Sequence, residues 1–301
     1  HQYKGRIHCE FNQLRSGDGG TVTGRFSSSH PNLQQVPARH PEINELIRGL
    51  FIPEEGCKWA SFDYSAQEPR WLMHYASLTP ETKDNPRVQE IVESYQSDDL
   101  DFHQMVADIA GVERSLAKTI NLGIMYGMGV GKLAIELDLP EEQARSLINQ
   151  YHERVPFVKG LMTGVMNRLN DRASSGSIRS ILGRKCRFDL WEPDTFQMNK
   201  ALPYREAVDA YGPTARLKRA YTYKALNRLI QASAADMTKQ AMVNLYKEGL
   251  VPLTQIHDEI AMSVKDKEQA KYIADIMTKA VPLQVPNKCD IEIGPSWGEA
   301  K

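Results

Sequence analysis

Residues 253–264 read Leu-Thr-Gln-Ile-His-Asp-Glu-Ile-Ala-Met-Ser-Val, two short runs on either side of His257-Asp258-Glu259. Both runs have strand length and residues that suit a pleated, half-buried surface, which predicts two strands flanking the polar triplet. A further stretch of strand length, Lys-Trp-Ala-Ser-Phe-Asp-Tyr at 58–64, carries Asp63 near its end. If these strands are neighbours in one sheet, Asp63 and Asp258 meet. Hard oxygen ligands suit Mg²⁺, which keeps several waters and shares its shell with substrate phosphates. Two such ions about 3.5–4 Å apart clamp the attacking and leaving oxygens of an in-line phosphoryl transfer. Spacing alone favours a plainer reading, with Asp63 a helix N-cap and Asp258 a turn residue.

Outward from these stretches, residues 66–77 read as a helix with Pro69 in its first turn. Residues 102–166 read as mostly helical, broken at Gly111, near 127–131, at Pro140 and at Pro156. A hairpin is expected over 177–189 around Gly183, and a long helix over 221–248 stopped by Gly249. A helix over 267–280 and a strand over 289–293 follow, while 15–41 is loop-like in its glycines, serines and prolines. Sparse strands on either side of a helical block predict an α+β fold, a sheet domain carrying a helical insertion.

The length of 301 residues allows two domain-sized units or one core with an insertion. Hydrophobic residues at 41% and charged residues at 25% fit a globular protein, and no apolar run is long enough to span a bilayer. The chain opens on His1 with no secretory signal, so it reads as a piece of a longer protein. Cys9, Cys57, Cys186 and Cys289 are far apart at no metal-ligand spacing, which predicts free thiols and argues against a zinc site. Net charge is −1, but cations gather between Arg168 and Arg187 and between Lys200 and Arg228, while 81–101 is acidic. This segregation fits a polyanion-facing side, and equally fits solvated helix faces.

Arg114, Lys118, Leu122 and Tyr126 recur every four residues and form one row on a helix. The arginine fork and the lysine point charge can grip a triphosphate, and the other two offer an apolar surface to a base and sugar. An exposed basic edge beside a core stripe gives the same pattern. The loop at 23–29 sets Arg25 among glycine and hydroxyl residues, groups that contact phosphates and groove edges. No Gly-x-x-x-x-Gly-Lys-Ser/Thr loop is present, which argues against a P-loop ATPase.

Five blocks stand in order: TGRFSSSHPNLQQVP at 23–37, DYSAQEPR at 63–70, RSLAKTINLGIMYG at 114–127, NRLIQ at 227–231 and QIHDEI at 255–260. Together they resemble family A, DNA polymerase I-like, enzymes over nearly the whole chain, and Gln67-Glu68-Pro69 resembles phage members. The resemblance implies a right-hand polymerase fold: an antiparallel-sheet palm at 1–79 and 226–301, helical fingers at 80–225, and a thumb absent or truncated. It implies template-directed addition of deoxynucleotides to a primer 3′-hydroxyl with two Mg²⁺ ions and release of pyrophosphate. Asp63 and Asp258 would be the catalytic metal-binding carboxylates, Tyr64 would give a backbone oxygen, and Glu259 would support them. Arg114 and Lys118 would hold the triphosphate, with Lys118 a proton donor to pyrophosphate and His103 a further phosphate contact. Leu122 and Tyr126 would flank the nascent pair, Glu68 would exclude ribonucleotides, and a polar contact beside the nucleotide would be either missing or supplied by Gln67. Arg25, Asn227, Gln231 and His257 would bond the minor-groove edge and primer end, where acceptors common to all correct pairs test geometry without reading sequence. Glu68 also reads as a surface helix acid, and His103 as a structural histidine.

Implied partners are primer-template DNA and dNTPs, with no membrane, and a missing thumb or exonuclease portion or a processivity factor. The implied location is the cytoplasm of a bacterial or phage-infected cell. A metal-dependent nuclease and a non-catalytic polymerase-like DNA-binding module remain alternatives for the same residues. The chain departs from the family pattern at Ala66, Glu113, Leu122, Leu182 and Tyr223. Leu122 lacks the hydroxyl of the tyrosine found there in some members. Discrimination against dideoxynucleotides is therefore expected in competitive ddNTP versus dNTP incorporation, and near-equal use would refute it.

Overall fold

The structure, a computed structural model, describes residues 2–14, 19–37, 41–97, 100–125, 127–171, 175–195 and 199–300. Lys58–Tyr64 lies inside a four-stranded sheet ordered Thr254–Ile256, Glu259–Val264, Lys58–Tyr64, Cys289–Gly294, with every neighbouring pair antiparallel. The two stretches that predicted the sheet are thus adjacent in it.

Side chains alternate between the faces of a strand, and residues directly opposite share a face. Phe62 lies opposite Ile260 and Ile291, and Ala60 opposite Met262 and Ile293. This apolar face packs on the helix Lys267–Thr278, which buries Ala270, Ile273, Ala274 and Met277. Tyr64 points the same way, its hydroxyl donating to the Met277 carbonyl at 2.8 Å. The other face carries Trp59, Ser61 and Asp63. Trp59 is stacked on Trp297 at 5.7 Å between ring centroids, and Phe51 meets Trp297 edge-on at 5.4 Å. The guanidinium of Arg48, the last residue of the helix Pro41–Arg48, covers Trp297 at 4.2 Å. One end of this face is therefore closed by aromatic packing, and the other carries acids.

The chain divides into two compact units, His1–Trp71 with Gln231–Lys301, and Leu72–Ile230. The first contains the sheet just described. The second is mainly helical, with Pro86–Ser97, Phe102–Ala110, Arg114–Met125, Val130–Leu137, Glu141–Arg154 and Pro156–Asn170. Local chemistry sets these boundaries. Asp101 caps Phe102–Ala110 by accepting from the His103 and Gln104 amides, and Gly111 ends it at φ 66. Pro156 opens its helix, where a missing N–H costs nothing. Gly127 sits at φ 70, and a Cβ there would lie 2.9 Å from the Tyr223 carbonyl oxygen, so backbone angle and space both demand glycine.

Several expectations need correction. The helix expected over 221–248 starts at Ala225, because Tyr221 takes a left-handed φ of 61 and a 3₁₀ turn, Thr222–Lys224, intervenes. The helix expected to reach 280 ends at Thr278. Pro41–Arg48 and Pro86–Ser97 were not foreseen as helices, nor was the small sheet of Leu217–Arg219, Leu190–Pro193 and Leu202–Pro203. The hairpin around Gly183 forms from Ser177–Arg179 and Lys185–Arg187. All four cysteines are free. Among the described residues no helix is long and apolar enough to cross a membrane.

Trp297 is 4% exposed and joins Trp59, Ile256 and Ala261 in one buried cluster. Trp297→Ala should cost about 3–5 kcal/mol through lost burial and a residual cavity. Urea unfolding followed by circular dichroism measures this, and a loss below about 1 kcal/mol would contradict a core role for the stack.

Candidate active site

His257 and Asp258 form a two-residue turn between the strands Thr254–Ile256 and Glu259–Val264. Such turns need positive φ at their first central residue, and His257 supplies φ 57 without being glycine. Asp258 is thereby held at the tip, next to the strand that pairs with Lys58–Tyr64. The register sets Glu259 opposite Asp63 on one side and Asp290 opposite it on the other. Glu292 lies opposite Ser61 on the same face.

Like charges directly opposite one another destabilise a sheet. Asp63 is open to solvent on one side, yet its carboxyl is pushed up to about 7, first by burial and then by Asp258, Glu259, Asp290 and Glu292. Burial also raises the Glu259 carboxyl, against the pull of a hydrogen bond from Ser61 and the charge of Arg48. Glu259 Oε1 is buried with no hydrogen-bond partner among the described residues. Arg48 is held on Trp297 and donates to the Val36 carbonyl at 3.4 Å. The acids thus outnumber the cation that faces them.

Among the described residues, no three His, Cys, Asp or Glu side chains form a closed metal cage. Mg²⁺ does not require one, since it binds through one or two carboxylates completed by water and substrate phosphates. An acid-rich face with a destabilised carboxylate fits that hard cation. The Tyr64 side chain points to the opposite face, which leaves only its backbone as a possible ligand.

Other expected residues of this unit are placed as follows. Arg25 and Glu68 form an ion pair at 2.9 Å, with side chains only 23% and 12% exposed. Gln67 is 3% exposed, and its amide donates to the Ala234 carbonyl and Thr238 hydroxyl of the helix Ala225–Lys247, each at 3.5 Å. Helical phase thus turns the side chain read as a polar contact beside the nucleotide toward that helix. Gln231 is half-buried, and His257 is exposed.

In the other unit, Arg114 and Lys118 stand on the exposed face of Arg114–Met125, and Leu122 is half-buried. Asp101 accepts from Arg114 at 2.7 and 2.8 Å. Burial opposes the Asp101 charge, but the Gln104 amide and Arg114 outweigh it and hold the carboxyl below the usual range. His103 is buried, its Nδ1 3.2 Å from the Asn121 amide nitrogen. Asn227 is half-buried. Tyr126 lies outside the described residues.

Sequence reasoning missed Asp290, Glu292, Arg48, Asp101 and Asn121. Asp290 and Glu292 alternate with Ile291 and Ile293, a period-two signal that was legible once strand 289–293 was assigned. Arg48 and Asn121 gave no signal, because each matters through a partner distant in sequence.

The family model for DNA polymerase family A matches residues 1–299. A DNA-directed DNA polymerase of Pseudomonas phage M6 is 36% identical over 345 aligned residues, which cover 100% of this chain and 48% of that protein. The thermostable DNA polymerase I of Thermus aquaticus is 32% identical over 318 residues, covering 100% of this chain and 33% of its own. The solved POL domain of Pol1 from M. smegmatis, in complex with DNA primer-template and dNTP, matches at a TM-score of 0.73 and 28% identity, over 99% of this chain and 49% of that one. The chain therefore spans about a third to a half of the length of these relatives. The α+β fold, the acid-bearing antiparallel sheet and the match along almost every residue agree, and the chain belongs to DNA polymerase family A.

Proposed function

We propose that the chain carries out template-directed DNA synthesis, joining a deoxynucleotide to a primer 3′-hydroxyl with release of pyrophosphate. The observation that supports this most is the register that sets Asp63 between Glu259 and Asp290, beside the Asp258 turn. The first unit would be the palm and the helical unit the fingers. Family membership implies divalent metal use, and the proposed cofactor is a pair of Mg²⁺ ions held by Asp63, Asp258 and the Tyr64 backbone oxygen. Bound there, such ions would lower the pKa of the primer hydroxyl and stabilise charge on the departing pyrophosphate.

The chain's own residues would do the rest. Arg114 and Lys118 bind the triphosphate, and Lys118 passes a proton to the pyrophosphate. Glu259, held by Ser61, keeps the acid face in register. Glu68 crowds the sugar 2′ position. Arg25, Asn227, Gln231 and His257 bond the acceptors of the minor-groove edge, with Leu122 and Tyr126 against the new pair. Primer-template DNA and dNTPs are the proposed partners, as in the M. smegmatis complex. The cytoplasm of a bacterial or phage-infected cell is the proposed location, supported by the phage and bacterial relatives.

Primer extension with Mg²⁺ and four dNTPs tests this reading. Asp63→Ala or Asp258→Ala should lower the rate at least about 10³-fold, a loss of roughly 4 kcal/mol of transition-state stabilisation, while DNA binding persists. Extension near the wild-type rate by either variant, or shortening of labelled DNA in place of extension, would count against it.

A second test concerns the acid face without chemistry. The folded-state value of Asp63, about 7, lies above its ordinary 3.8, so the proton bound on folding stabilises the fold at low pH. That contribution is lost as pH rises from the ordinary value through the folded one. Asp63→Asn should therefore raise the Tm of metal-free protein more at pH 8 than at pH 5, and Mg²⁺ should narrow the difference by stabilising wild type. Equal shifts at both pH values would contradict the crowding.

A further inference from the structure

The helix Arg114–Met125 buries one polar side chain among apolar ones. Asn121 is 0% exposed, in the stretch that also buries Ile120, Gly123, Ile124 and Met125. Helix propensity does not favour asparagine there, and burying an amide is costly unless it is bonded. Its partner is His103 of the adjacent helix, 8% exposed, with the amide nitrogen 3.2 Å from Nδ1.

The charged groups facing His103 are Asp101, Lys118 and Arg114. Burial, foremost, and the two cations hold its pKa below the ordinary histidine range, against the pull of Asp101. The ring is therefore neutral near pH 7. A neutral imidazole has one N–H and one bare nitrogen, and the hydrogen bond at one nitrogen decides the state of the other. Donation from the Asn121 amide requires a bare Nδ1, which puts the proton on Nε2. The reverse orientation would have the amide oxygen accept from Nδ1–H and leave two buried amide N–H groups without that acceptor. The observed orientation pairs one of those N–H groups with Nδ1 and leaves Oδ1 without a partner among the described residues. Donors are the scarcer buried group to strand, so the observed orientation is the cheaper one.

We infer that Asn121 is a positioning residue that fixes His103 as the Nε2–H tautomer, so that an uncharged ring offers a hydrogen-bond donor to nucleotide phosphate. This rests on the proposed nucleotide role of His103. It also reconciles the two readings of that histidine, since the ring is packed through Nδ1 while the N–H is carried by Nε2.

The test is a long-range ¹H–¹⁵N correlation spectrum of the full chain with ¹⁵N-labelled histidine at pH 7, with His103 assigned by loss of its signals in His103→Gln. A neutral ring with bare Nδ1 and protonated Nε2 is expected. A proton on Nδ1, a cationic ring or fast averaging between tautomers would overturn the assignment, whether or not any Asn121 variant folds. In Asn121→Asp, a carboxylate facing Nδ1 should draw the proton to that nitrogen. The KM for dNTP should then rise about tenfold with kcat within about twofold, the loss of one hydrogen bond to a charged group. A folded Asn121→Asp protein with an unchanged tautomer would also overturn it. Failure of wild-type protein to extend a primer would end the nucleotide reading, whereas an Nδ1–H ring in an active enzyme would end the Asn121 assignment alone.

Discussion

Repulsion between carboxylates is the constraint around which this sheet is organised. The antiparallel register gives Asp63 an acidic neighbour on each flank, Glu259 and Asp290, and the His257-Asp258 turn adds another acid. Such an arrangement opposes folding, so the rest of the unit must hold it. On the far face, Phe62, Ile260 and Ile291 lie against the helix Lys267–Thr278. On the near face, the Trp59–Trp297 stack closes the end away from the acids. Arg48 joins the two regions, its guanidinium over Trp297 while its charge bears on Glu259 and Glu292. Apolar burial thus supplies the stability, and the charge crowding supplies an appetite for cations.

Much of this was legible in the sequence because the informative features are local. The paired runs around His257-Asp258-Glu259 and the Lys58–Tyr64 stretch became neighbouring strands. Gly111, Pro140 and Pro156 marked real helix boundaries, because glycine and proline act on their own backbone. Features that depend on distant partners were not legible. The place of Asp290 beside Asp63 follows from pairing between remote strands, and Arg48 matters through Trp297 and the acids of the sheet, all distant in sequence. Pro86–Ser97 buries Val88, Ile91 and Tyr95 at helical spacing, a pattern passed over in a stretch noted only for its acidic charge. Tyr221 shows the limit of propensity, since an aromatic residue in left-handed backbone delays a helix whose pattern had already begun.

At the candidate site, residue type was more informative than side-chain direction. Gln67 and Glu68 are adjacent, yet one is turned into the core and the other meets Arg25, because successive helical positions point about 100° apart. His103 was expected either to touch phosphate or to be structural. Its burial against Asn121 and its neighbourhood of Arg114 and Lys118 make those two descriptions compatible.

The Arg25–Glu68 ion pair has a consequence for how any polyanion is received. Each side chain is largely buried and already paired, so a phosphate or groove acceptor claiming Arg25 would compete with an internal carboxylate, not with water alone. Affinity measured through this arginine is then a difference between two electrostatic pairings. Added salt weakens the incumbent as well as the newcomer, so Arg25 should contribute less to ionic-strength sensitivity than an arginine standing free in solvent.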